Sequence, residues 1–308
     1  MNPLVIVGPT ASGKSALAMS VAIRTGGEIV SIDSRQVYRG LDIGTAKPSA
    51  HERSLVSHHL LDIIGPEKKT DARWFSRVAS KAIRDVLSRS KLPILTGGSG
   101  LYLRAVLEGL FNIDLDEDSR SAFAESISTT STPELLAELR MVDKESAERI
   151  HPNDRYRLTR ALEVYRLTGL PLSEHFSRQK ESGGGGLGLD CLKTGIDIPR
   201  DKLRARIAER TKKMFDDGWP DEVRSLLSHG AFPEWYGMKT LGYPEIISYL
   251  NGVLSRQEAI DEIILKTSQY AKRQMTWFRS DKDIRWIKGD AREQSEALFK
   301  ILDTRGFN

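Results

Sequence analysis

The sequence predicts an α/β fold: a parallel sheet with helices on both faces, carrying an inserted all-helical domain. Three observations predict it. Short apolar runs end at glycine or a turn residue, amphipathic stretches separate those runs, and a strand-poor helical tract interrupts the alternation.

Leu4-Val5-Ile6-Val7 is a continuous apolar run closed by Gly8-Pro9, as in a buried parallel strand. Residues 14–25 follow as a helix with Ala16, Leu17, Met19, Val21, Ala22 and Ile23 as its apolar positions. Residues 28–32 read as a second strand ending at Asp33. Residues 74–89 repeat apolar side chains at helical spacing, and residues 92–96 form a third strand closed by Gly97-Gly98-Ser99-Gly100, with a further helix after it. The texture changes near Phe111. Residues 114–118 are acidic and loop-like, residues 133–168 are helical, and Ser182-Gly183-Gly184-Gly185-Gly186-Leu187-Gly188 is a linker signal. Residues 192–198 return to strand character, and from Arg200 the chain is mostly helical. The expected organisation is an α/β core from residues 1–113 and 187–308, interrupted by a helical insertion over 114–186.

Composition narrows the function classes. The single cysteine, Cys191, excludes an intramolecular disulfide and a cysteine-rich zinc site, and suits a reducing cytosol. No uncharged stretch approaches the ~18 residues that a membrane span needs, and the N-terminal segment reads as a first strand rather than a leader. The expected location is cytoplasmic. The net charge of +4 is modest, so its distribution carries more information than its sum.

Gly8-Pro9-Thr10-Ala11-Ser12-Gly13-Lys14-Ser15 matches the pattern G-x-x-x-x-G-K-[ST]. The glycines let backbone N–H groups curl around a diphosphate. Lys14 adds a point charge, the Ser15 hydroxyl is a Mg²⁺ ligand type, and the following helix contributes its N-terminal dipole. The motif lies between a strand and a helix, so the sheet is P-loop NTPase-like. Nothing in the motif distinguishes a nucleotide from another diphosphate.

Asp33 closes the second strand, and ligands of open parallel sheets sit outside the C-terminal strand ends. A carboxylate there is either a turn or N-cap aspartate, or a group that takes a proton or binds metal. Ser99, after the third strand, is either part of a strand-to-helix turn or a ligand hydrogen bonder. Two readings survive at this level: a P-loop kinase, and a transferase that binds a diphosphate ester and expels pyrophosphate. A nucleotide-dependent switch lacks its sequence marker, an apolar strand ending in Asp-x-x-Gly.

Charge patterning adds an RNA-binding expectation. Between Arg200 and Lys213 seven cations stand against Asp201 and Glu209, which is either a phosphate-contacting face or an ordinary solvated helix. Arg155, Arg157 and Arg160 form a second basic candidate. Lys266, Tyr270, Arg273 and Trp277 share one helix face, as unpaired-nucleotide binders or as core anchors. His58 and His59 are adjacent without a third ligand, so they read as structural.

Several segments together resemble the tRNA dimethylallyltransferase (IPP transferase) family. They are the phosphate loop, Asp33-Ser34-Arg35-Gln36-Val37-Tyr38, Asp42-Ile43-Gly44-Thr45-Ala46-Lys47-Pro48, His58-His59-Leu60-Leu61-Asp62 and Gly97-Gly98-Ser99-Gly100-Leu101-Tyr102. Arg160-Ala161-Leu162-Glu163-Val164, Gly242-Tyr243 and residues 270–279 complete the series. The resemblance implies transfer of the dimethylallyl group of dimethylallyl diphosphate to N6 of the adenine just 3′ of the anticodon of tRNA. The alternatives are a prenyltransferase acting on free adenine nucleotides and a small-molecule P-loop kinase. The resemblance further implies that residues 8–15 hold the diphosphate, with Mg²⁺ on Ser15, and that Asp33, Ser99 and Arg210 are catalytic. By the same resemblance tRNA is contacted by Asp33, Ser34, Arg35, Gln36, Ser99, Arg120, Tyr156, Arg157, Leu158, Thr159 and Arg160. Lys272 and Arg273 are further expected contacts. Ser99 stands where threonine is common in the family, Tyr156 where glutamine is common, and Arg35 where a small residue is frequent. A chain with one cysteine cannot build the zinc finger of some eukaryotic members, so a bacterial type is expected. No membrane and no protein partner is implied.

Overall fold

The computed structural model describes residues 2–110, 117–181 and 186–304; in addition, nothing is described of the side chains of 117, 120, 180 and 181. The described chain runs β1 (Leu4–Val7), α1 (Lys14–Thr25), β2 (Glu28–Ser31), α2 (Ala50–Leu55), β3 (His58–His59), α3 (Ala72–Ser88), β4 (Pro93–Gly97) and α4 (Gly100–Leu107). It continues through α5 (Glu117–Ser126), α6 (Thr132–Val142), α7 (Lys144–Arg149), α8 (Arg155–Thr168) and α9 (Leu172–Glu181). It closes with β5 (Leu192–Ile196), α10 (Arg200–Asp216), α11 (Trp219–Ser228), α12 (Tyr243–Leu250), α13 (Arg256–Arg279), β6 (Arg285–Ile287) and α14 (Ala291–Thr304).

The strands form one sheet in the order β3-β2-β4-β1-β5-β6, with every pairing parallel. Parallel strands require covering on both faces, and β1, β2 and β4 are buried along their whole lengths. Leu4, Ile6, Ile29, Ile94 and Leu192 pack with Leu17, Val21, Leu298 and Leu302 from α1 and α14 in one apolar cluster. All C-terminal strand ends therefore share one rim. Val7 pairs with Gly97 there, and Ser31 with Thr96. Gly97 has a steric cause: a Cβ at that position would meet the carbonyl oxygen of Ile32 at 1.9 Å.

Two strands escape the sequence reading. β3 is two histidines long, and its imidazoles are held locally: His58 Nδ1 is 2.8 Å from the Val56 carbonyl and His59 Nε2 is 2.7 Å from Glu28. β6 is a three-residue edge strand, too short for a periodicity signal. Among the acidic residues expected in a loop, Glu117 and Asp118 instead fall in α5. Residues 114–116 and most of the glycine linker, 182–185, lie outside the described residues.

The chain divides into two compact units, Met1–Leu107 with Leu189–Asn308, and Glu108–Gly188. The first contains the sheet. The second is helical and has its own core, in which Leu135, Leu139, Leu158, Ala161 and Leu162 are fully buried. Its α6 begins at a capping box, with the Ser131 hydroxyl and Glu134 satisfying each other's backbone N–H groups. No helix among the described residues is long and apolar enough to cross a membrane.

Candidate active site

The phosphate loop connects β1 to α1. Ala11 and Gly13 both take left-handed backbone angles, φ 62° and 99°, which turn successive N–H groups toward one side. Gly8 has no room for a side chain, since a Cβ there would stand 2.7 Å from the Ser12 hydroxyl. Lys14, the first residue of α1, donates to the Pro9 carbonyl at 3.3 Å. Burial pushes its ammonium down from 10.5 to about 8; Arg210 adds to that, and Asp33 opposes it.

Gln274 of α13 ties this loop to the neighbouring strand end. Its carbonyl oxygen accepts from the Thr10 N–H at 2.8 Å, and its amide donates to the Gly98 carbonyl at 2.9 Å. A Cβ on Gly98 would stand 2.1 Å from that amide nitrogen, so glycine admits the bridge. Sequence reasoning gave Gln274 no role; the available signals were its place beside the basic-aromatic face of α13 and within residues 270–279, one of the segments that carry the resemblance.

Asp33 follows β2 on the same rim. Its carboxylate accepts from the Arg35 N–H at 2.8 Å, which folds residues 33–35 into a tight turn. The Ser34 N–H donates to the Ser99 hydroxyl at 3.2 Å, joining the ends of β2 and β4. Gln36 is fully engaged: its carbonyl oxygen accepts from the Ser31 hydroxyl at 2.7 Å, and its amide donates to the carbonyls of Thr45 and Ala46, both at 3.1 Å. Arg35 donates to the Tyr236 carbonyl at 3.2 Å.

Two cavities meet at this point. The smaller, about 180 Å³, is lined by Lys14, Ser15, Ser31, Thr96 and Gln274 among others. The larger, about 500 Å³, is lined by apolar Ile207, Met214, Trp219 and Ile263 and by basic Arg35, Lys239, Lys266 and Arg273. Thr10, Asp33, Thr45, Arg210 and Tyr270 line both. A carboxylate thus stands between the niche beside residues 8–15 and a larger niche with apolar walls, lysines and arginines, and Glu245, which pairs with Lys266 at 2.7 Å. Arg210 reaches the junction from α10 and lies 3.5 Å from the Thr10 hydroxyl. Burial lowers its pKa, against the pull of Asp33. Tyr270 stays a neutral phenol, since burial and the nearby Asp33 charge both push its hydroxyl up.

The other expected contacts divide. Tyr156 is 81% exposed on α8. Arg157 is exposed, paired with Asp154 at 3.2 Å, and Arg160 pairs with Glu163. Thr159 is half-buried on the same helix. Leu158 differs: its side chain is fully buried in the helical unit's core and faces no solvent. Arg155 donates to the carbonyls of Thr130 and Ile127, so it holds the α5–α6 connection. Arg120 falls in α5, and its side chain lies outside the described residues. Lys272 is exposed, and Arg273 sits over the Tyr270 ring at 5.8 Å. Trp277 packs on Gly100, where a Cβ would approach its ring to 2.1 Å, so it is an anchor between α13 and α4.

Known proteins share this organisation. The family model described as IPP transferase matches residues 36–281. A tRNA dimethylallyltransferase of Geotalea uraniireducens is 48% identical over 286 residues, spanning 92% of this chain and 91% of its own. One from Geobacter sulfurreducens is 44% identical over the same shares. Among solved structures, a tRNA isopentenylpyrophosphate transferase of Bacillus halodurans aligns with a TM-score of 0.71 at 35% identity, covering 99% of this chain and 96% of that one. A eukaryotic dimethylallyltransferase acting on tRNA aligns at 0.78 with 26% identity, covering 97% of this chain and 77% of that one.

Proposed function

Because this chain belongs to the IPP transferase family, we propose that it transfers the dimethylallyl group of dimethylallyl diphosphate to N6 of the adenine just 3′ of the anticodon in tRNA. The products are N6-dimethylallyladenosine and pyrophosphate. The observation that carries this reading is the position of Asp33, which lines both the phosphate-loop cavity and the larger one.

The chemistry follows from that arrangement. An exocyclic adenine amine is a poor nucleophile, because its lone pair is delocalised into the ring. As N6 bonds to the allylic C1 of the donor, the C1–O bond breaks and its electron pair leaves with pyrophosphate. The N6 proton passes to the Asp33 carboxylate, the general base. Lys14, Arg210 and the N–H groups of residues 13–15, where α1 opens, stabilise the charge that collects on the leaving group. Ser99, hydrogen-bonded to the Ser34 N–H, holds the turn that carries Asp33. The adenine reaches this site by leaving the anticodon-loop stack, and the larger cavity, with apolar walls and cationic residues, suits a flipped base. Residues 33–36, Ser99, Arg120 and residues 156–160 are the proposed tRNA contacts, with Lys272 and Arg273; within 156–160 the Leu158 side chain contributes packing.

The residues around the smaller cavity fit Mg²⁺. The Ser15 and Thr96 hydroxyls and the Asp33 carboxylate line it together, all are hard oxygen donors, and the buried Thr96 hydroxyl has no hydrogen-bond partner among the described residues. Bound Mg²⁺ supplies charge neutralisation to the diphosphate. The proposed location is the cytoplasm, where tRNA is available.

Replacing Asp33 by alanine tests the assignment. Transfer of labelled dimethylallyl to an anticodon stem–loop should fall by roughly a hundredfold or more, while the fold, read by circular dichroism, persists. Full activity in that variant would remove Asp33 from the role of base.

A further inference from the structure

The strip of chain from Asp42 to Lys47 walls both cavities, with Thr45 lining each of them. It belongs to no strand and no helix, so something other than a ladder must fix it. From inside the site, Gln36 donates to its Thr45 and Ala46 carbonyls. From outside, a single carboxylate collects its N–H groups. Glu222 of α11 accepts from Asp42 N–H at 2.8 Å and Ile43 N–H at 2.6 Å through one oxygen. Its other oxygen accepts from Gly44 N–H at 3.4 Å and from the Tyr243 hydroxyl at 2.7 Å. Three consecutive backbone donors turned to one point make an anion nest, here filled by the protein's own side chain. Gly44 lies against α11 as well, since a Cβ there would stand 2.3 Å from the Trp219 indole nitrogen.

We propose that Glu222 is a positioning residue for the transfer reaction: its carboxylate clamps residues 42–44 and thereby sets Thr45 at the junction beside Asp33. This rests on the reaction proposed above. Glu222 lines neither cavity. It acts through the strip, and a displacement of about an ångström at a reacting centre costs up to roughly a hundredfold in rate. The phosphate loop is held separately, by Gln274. Loss of the clamp should therefore disturb turnover and leave pyrophosphate binding intact.

The test uses the full chain as Glu222→Gln and Tyr243→Phe. Glutamine keeps the shape but places an NH₂ group among the donors; phenylalanine removes a single hydroxyl. In stem–loop prenylation, Glu222→Gln should lower kcat by roughly tenfold or more, and Tyr243→Phe by less, with the Kd for inorganic pyrophosphate unchanged in both. Wild-type kcat in Glu222→Gln would overturn the proposal. So would a loss of pyrophosphate affinity that parallels the loss of kcat, which marks a general structural role. If Glu222→Gln does not fold, Tyr243→Phe decides alone by the same two measurements. An inactive wild-type protein in the same assay would instead refute the transferase reading, which keeps the two failures apart.

Discussion

Lys14 is an amine that the fold makes hard to charge. Burial lowers it to about 8, Arg210 pushes in the same direction, and Asp33 offsets part of the loss. Below pH 8 the unliganded site offers a cation to a diphosphate; above it, that cation is lost. Affinity for dimethylallyl diphosphate, followed by calorimetry from about pH 7 to about pH 9.5, should be full at the acid end and weaken as pH rises through 8. Lys14→Gln should bind weakly and lose that step. A flat profile in the wild-type protein would show that Lys14 stays charged without ligand. Stability carries the opposite sign. The unfolded chain holds this proton up to 10.5, so between 8 and 10.5 it binds more protons than the folded chain, and this group's contribution favours the fold as pH rises.

At the scale of elements, α10 divides its charges between two jobs. Arg206 donates to the Ser12 carbonyl at 3.2 Å and Arg210 lines both cavities, so two of its cations serve the phosphate loop. Arg200, Lys202, Arg204 and Lys212 are exposed, while Lys213 pairs with Asp217 at 3.0 Å. Replacing Arg200, Lys202 and Arg204 by alanine should weaken stem–loop binding and reduce the slope of log K against log salt by about 0.7–0.9 for each phosphate left unneutralised. The KM for dimethylallyl diphosphate should not change. An unaltered salt slope would mark this face as merely solvated. The sequence patterns behind α1 and the phosphate loop are local, which is why they could be read directly: an apolar strand, two glycines, and a helix opening at Lys14. The seven cations of α10 were equally visible, yet which of them turn inward depends on packing against a loop some 190 residues away in sequence. Glu222 and Gln274 illustrate the same limit. Each looks like an ordinary helical polar residue, and each acquires its role from backbone groups of a distant segment. β3 and β6 were illegible for another reason, since two and three residues cannot display a period.

At the scale of the whole molecule, the chain consists of two units with separate cores. The helical unit, residues 108–188, carries α8 and the exposed Tyr156 and Arg157. Expressed alone, it should give a helical circular dichroism spectrum and a cooperative thermal transition, because Leu135, Leu139, Leu158 and Leu162 bury one another within it. A broad, non-cooperative melt would mean that its core depends on the rest of the chain.

The most direct test of the proposed reaction offers labelled dimethylallyl diphosphate and Mg²⁺ to the pure protein with three acceptors in separate tubes: an anticodon stem–loop, AMP and ATP. Label on the stem–loop alone is the expected result. Label on AMP or ATP without label on the stem–loop would contradict it and make the protein a free-nucleotide prenyltransferase.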